Sequence, residues 1–144
     1  MIEEDTIKLL KECDSGIKMG VKSIEDMIGY VKDEKMKNIL KDSKDDHIKI
    51  KDNLQDMLTE YHDDGKEPNA MAKSMSWMKT NMKLMINESD NTVADLTVDG
   101  CDMGVKSLSR YLNKYKAADE KSKDIAKKLI KIESDLSVSM RDYL

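Results

Sequence analysis

A chain of 144 residues is long enough for one domain whose core buries about two thirds of the surface exposed by the unfolded form. Charged residues make up 38% of it, but the 25 Lys and Arg are interleaved with 29 Asp and Glu for a net charge of −4, so neither a nucleic-acid footprint nor a basic membrane face is expected. One Pro, six Gly and no Phe, beside abundant Lys, Asp, Ile, Leu and Met, favour helices over strands and predict an all-α protein.

No apolar run approaches the roughly 20 residues of a membrane span. The start, Met1-Ile2-Glu3-Glu4-Asp5, is acidic where a secretory leader is basic, so a cytoplasmic location is expected. Cys13 and Cys101 stand in neither a Cys-x-x-Cys nor a zinc-ligand spacing, and in that compartment they read as reduced, small core residues.

The first helix is predicted from about Glu3 to Val31, with acids at its positive end. Its apolar seam, Leu10, Ile17, Val21, Ile24, Ile28 and Val31, steps by three and four residues, as a helix packed in a bundle requires. The same stepping turns Asp14 inward. Asp33 marks a short turn, and the second helix, about Glu34 to His62, carries the seam Leu40, Ser43, His47, Ile50, Leu54, Met57 and Tyr61. A turn that short makes the two helices an antiparallel hairpin. His62 reads as a solvated helix-end residue.

Residues 63–69, with the only Pro, form a loop. A third, shorter helix is expected from Ala70 to Ile86, with Met71, Met75, Met78, Met82 and Met85 on one face and Trp77 alongside. It suits a crossover running back along the bundle, with the methionines packed against it rather than forming a partner groove. The fourth helix is read from about Glu88 to Ala117 and the fifth from about Asp119 to Tyr143, where Ala126, Leu129, Glu133, Leu136, Met140 and Tyr143 form the seam.

The pentapeptide Met-Gly-Val-Lys-Ser occurs at Met19–Ser23 and again at Met103–Ser107, and Gly16 matches Gly100 at the same offset. Extending that offset lays the first seam onto Ala94, Cys101, Val105, Leu108, Leu112 and Tyr115, and the fifth helix matches the second at an offset of 86, which lays Glu133 onto His47. The expected architecture is therefore an antiparallel four-helix bundle in a single domain. Two repeated hairpins, residues 3–62 and 88–143, are joined by a crossover that carries the shorter helix at 70–86. Each Gly costs a helix roughly 1 kcal/mol against Ala. The line Gly16, Gly20, Ser23 and its match Gly100, Gly104, Ser107 therefore read as packing notches where another backbone comes close.

Duplicated hairpins joined by a long crossover look like the ferritin-like superfamily. More closely, Met71-Ala72-Lys73-Ser74-Met75-Ser76-Trp77, Thr92-Val93-Ala94-Asp95 and Asp99-Gly100-Cys101-Asp102-Met103-Gly104 resemble a group of small ferritin-like proteins of anaerobic bacteria that has no assigned activity. The resemblance implies the fold and the possibility of two metal ions at the bundle midpoint. Such sites use a Glu from each of two helices and a Glu-x-x-His from each of the others. Here Lys44 stands three residues before His47 and Leu136 three after Glu133. Asp14 replaces one Glu and Val98 the other, so the dinuclear pattern is broken.

Counting from the helix middles brings Asp14, His47 and Glu133 to about the same level. Buried groups of this kind must answer to one another or to something bound. Three expectations follow. The favoured one is a non-enzymatic binding or assembly protein, acting on an unidentified protein partner or on itself, with these three residues as a self-satisfied network and no cofactor. The alternative is a single divalent metal, iron or zinc, held by Asp14, His47 and Glu133. The remote one is histidine phosphotransfer on His47, near Lys49 and Lys51; inward counting and the absence of Leu-Lys-Gly after the His oppose it.

Overall fold

The computed structural model describes residues 2–68 and 89–144. Among these, all regular structure is helical: α1 is Ile2–Ile28, α2 is Glu34–Glu60, α3 is Asp90–Lys114 and α4 is Glu120–Met140, followed by a 3₁₀ turn at Arg141–Tyr143. The expected helix over 70–86, with its methionine face, lies outside the described residues.

Every predicted helix among these is present, and each stops short of its predicted end because a local cap intervenes. At the end of α1, Tyr30 and Val31 donate backbone N–H to Met27 and Ile28, three residues back, so the chain tightens into a turn at Gly29 and not beyond Val31. Asp33 then opens α2, accepting a hydrogen bond from the Lys35 N–H. Helix α2 ends at Glu60 in a left-handed cap: His62 has φ +56, its N–H reaches Thr59 O and the Asp63 N–H reaches Leu58 O. His62 is exposed, as a helix-end residue, but its backbone does the capping. Ser89 caps α3 through the Thr92 N–H, and Asp119 caps α4 through the Ser122 N–H.

The helix ends are stitched together across the chain. At the turn after α1, the N–H groups of Lys32 and Asp33 donate to the Asp90 carboxylate at 2.8 and 3.0 Å, which places the start of α3 beside that turn. At the opposite end, Ala117 N–H donates to Asp5 and Asp119 N–H to Thr6 Oγ1 at 2.8 Å, which places the turn after α3 beside the start of α1. Helix α3 therefore runs in the same sense as α2 and opposite to α1. Helix α1 packs on α2, α3 and α4, and α4 packs on α2 and α3.

The apolar interior falls into two clusters. One gathers Leu9, Leu10, Cys13, Ile17, Ile50, Leu54, Leu58, Leu108, Ile125, Ala126 and Leu129; the other gathers Ile24, Met27, Met36, Leu40, Val93, Ala94, Cys101, Leu136 and Met140. Each large side chain fully buried here contributes about 1.5–3 kcal/mol. On every described helix a residue between the two clusters breaks the apolar pattern: Gly20 on α1, His47 on α2, Gly104 on α3 and Glu133 on α4. No described helix is long and apolar enough to cross a membrane.

Candidate functional site

His47 is 1% exposed and Glu133 7%, and each reaches the interior because its helix seam carries it there between buried leucines and isoleucines. The imidazole Nδ1 lies 2.7 Å from the Ser43 carbonyl oxygen. A carbonyl only accepts, so Nδ1 carries the hydrogen and the other ring nitrogen is left to face Glu133. Nε2 and Glu133 Oε1 are 3.6 Å apart, an ion-pair separation too long for a direct hydrogen bond. The second carboxylate oxygen, Oε2, is buried with no hydrogen-bond partner among the described residues. A buried oxygen in that state costs about 1–3 kcal/mol unless something answers it.

The repeat glycines divide into two kinds around this pair. A Cβ added at Gly20 would lie 3.2 Å from His47 Nε2 and 3.8 Å from Glu133 Oε1, and one added at Gly104 would overlap Glu133 Oε2. Among the described residues nothing lies within 4 Å of a Cβ added at Gly16 or Gly100. The notch expectation is thus corrected twice. Gly20 and Gly104 give room to two polar side chains rather than to a neighbouring backbone, and Gly16 and Gly100 give room to nothing among the described residues.

Asp14 is fully buried, but it is occupied elsewhere. Its Oδ1 accepts from Gln55 Nε2 at 2.7 Å; its Oδ2 accepts from the Lys66 backbone N–H at 3.0 Å and pairs with Lys18 Nζ at 2.8 Å. Gly65, at φ +90, lets the loop fold over this carboxylate, since a Cβ there would overlap Oδ2. Lys66 Nζ binds Glu12 at 2.7 Å and Lys18 also binds Glu67 at 3.0 Å, so the loop after α2 is strapped to α1. Burial opposes the Lys18 charge, but its hydrogen bonds to Asp14 and Glu67 and their charges outweigh it and hold the ammonium above its ordinary range. Asp14 lies six residues from Gly20, roughly 9 Å along the helix. Of the three expected residues, the fold brings two together and gives the third a different task.

Cys13 and Cys101 are free and buried, one in each apolar cluster. Burial, with smaller contributions from nearby carboxylates including Glu133, pushes both thiols up to about 12, so neither supplies a thiolate near neutral pH. Lys44, where a dinuclear motif needs Glu, points its ammonium to Glu25 at 3.4 Å, and Leu136 is part of the apolar core. The dinuclear group therefore does not fit. Among the described residues no group of three or more His, Cys, Asp or Glu side chains is placed to hold a metal ion. The burial of His47 also opposes phosphotransfer, which needs a ring that a donor can reach.

Sequence reasoning missed Gln55, Lys18 and Lys66 as the partners of Asp14; none stands on an apolar seam, so no periodic signal pointed to them. No family model, no curated protein and no solved structure matches the chain.

Proposed function

We propose that this protein is a cytoplasmic, non-enzymatic binding bundle of ferritin-like organisation, and that its binding centre is His47 with Glu133, holding a single divalent ion such as zinc or iron(II). One observation carries the reading: Glu133 turns one oxygen to within 3.6 Å of a ring nitrogen and keeps the other buried with no partner among the described residues. The ring's other nitrogen is fixed by a backbone carbonyl, the usual support of a metal-binding histidine. At this separation one ion with bonds of about 2.0–2.2 Å could reach both donors. Water would complete the coordination. The duplicated-hairpin organisation is supported by paired contacts: Gly20 and Gly104 both border the pair, and Thr6 and Asp90, 84 positions apart, each bind the other hairpin's turn.

The test is thermal unfolding of metal-free protein with added zinc. Wild type is expected to gain stability with zinc concentration, by about 2.7 kcal/mol at a hundredfold excess over Kd, and His47→Leu to gain none. A wild-type melting curve that zinc leaves unmoved defeats the cation reading and leaves the pair as an internal contact that fixes helix register.

A further inference from the structure

We infer that Gly20 and Gly104 are the positioning residues of this centre: the absence of a side chain at each fixes the separation between His47 Nε2 and the Glu133 carboxylate, and with it what the centre accepts. For its ligand the inference rests on the cation reading above; for the positioning it rests on geometry alone. Glu133 Oε2 lies so close to Gly104 that a methyl group there would occupy the same space, with the carboxyl carbon 2.9 Å and Oε1 3.1 Å from it. The carboxylate can rest against the α-carbon hydrogens only because they are hydrogens. On the other side, the His47 ring lies 3.2 and 3.3 Å from where a Gly20 Cβ would be. Ring and carboxylate are thus held between two glycines on different helices, with Nδ1 pinned behind the ring. Their separation is set by the helices rather than by the rotamers of two free side chains. A fixed nitrogen and oxygen pair suits a small ion that accepts nitrogen. It does not suit calcium, which takes six to eight oxygens in a flexible shell.

Gly16 and Gly100 are internal controls, being helical glycines of the same repeat with nothing among the described residues within 4 Å of an added Cβ. Four single variants, each Gly→Ala, are compared in the full chain, with zinc as the probe and calcium as competitor. Gly104→Ala is expected to weaken zinc about tenfold or more, as loss of a supporting contact around a metal ligand does. Gly20→Ala should weaken it less, and Gly16→Ala and Gly100→Ala should leave it unchanged; calcium should not compete. The nitrogen resonances of the His47 ring, followed without metal, supply a readout of positioning alone. They should shift in Gly104→Ala and Gly20→Ala and stay in place in the controls. If Gly104→Ala does not fold, Gly20→Ala carries the test. Wild-type protein that binds no zinc defeats the cation reading while the ring resonances still judge the positioning. Zinc affinity and ring resonances that respond no more to Gly104→Ala and Gly20→Ala than to the controls overturn the inference.

Discussion

Two buried carboxylates, Asp14 on α1 and Glu133 on α4, are treated by this fold in opposite ways. Asp14 has three donors on its two oxygens and a glycine-turned loop folded over it. Glu133 has a histidine at ion-pair distance on one oxygen and, among the described residues, no hydrogen-bond partner on the other. A charge removed from water must be compensated by hydrogen bonds and opposite charge, and only Asp14 is compensated in full. Full satisfaction identifies Asp14 as a structural anchor for the segment after α2. Partial satisfaction, between two glycines, is what singles out Glu133. Residue type and burial alone do not separate the two roles.

The largest effect is expected at the anchor. Asp14→Ala leaves both the Lys66 N–H and the Gln55 amide without their acceptor, at about 1–3 kcal/mol each, and also takes from Lys18 one of its two carboxylates. Urea unfolding should show this loss, and it should exceed that of His47→Leu, which leaves Glu133 alone at a cost of about 1–3 kcal/mol. A smaller loss at Asp14 than at His47 would invert the comparison.

Replacing both members of the central pair sharpens the contrast. His47→Leu combined with Glu133→Met removes a half-satisfied pair and joins the two apolar clusters. In metal-free protein this double variant is expected to match wild type or exceed it by about 1–4 kcal/mol, as when buried ion pairs are exchanged for packed apolar side chains. Double-variant stability well below that of His47→Leu alone would show that the pair holds the bundle together as firmly as Asp14 does.

The smallest effect comes from the thiols above and below the pair. Cys13 and Cys101 are raised from 9.0 to about 12, so the folded chain keeps protons that the unfolded chain releases. Their contribution to stability is complete below pH about 9 and is lost as the pH rises towards about 12. In native protein at pH 8 both should resist thiol reagents until unfolding. Rapid labelling of Cys101 in the folded state would show that the interior beside Glu133 is open to solvent.

Much of this architecture was legible in the residues themselves. Apolar steps of three and four, Asp33 as a turn marker and the loop residues around Gly65 are local signals, so the helices could be placed to within a few positions. His47 and Glu133 could be assigned to one level because each interrupts a seam at a countable distance from its turns. The fate of Asp14 could not, because its position on α1 serves equally a side chain aimed at the bundle axis and one aimed at the neighbouring helix. The choice was made by Lys66, 52 residues away, whose N–H depends on the path of a loop. Gly16 and Gly20, or Gly100 and Gly104, are equally indistinguishable in sequence, each pair one helical turn apart. Helical periodicity determined which residues turn inward. Only the tertiary structure decided which of those meet one another, because that depends on where other helices bring side chains of a given length.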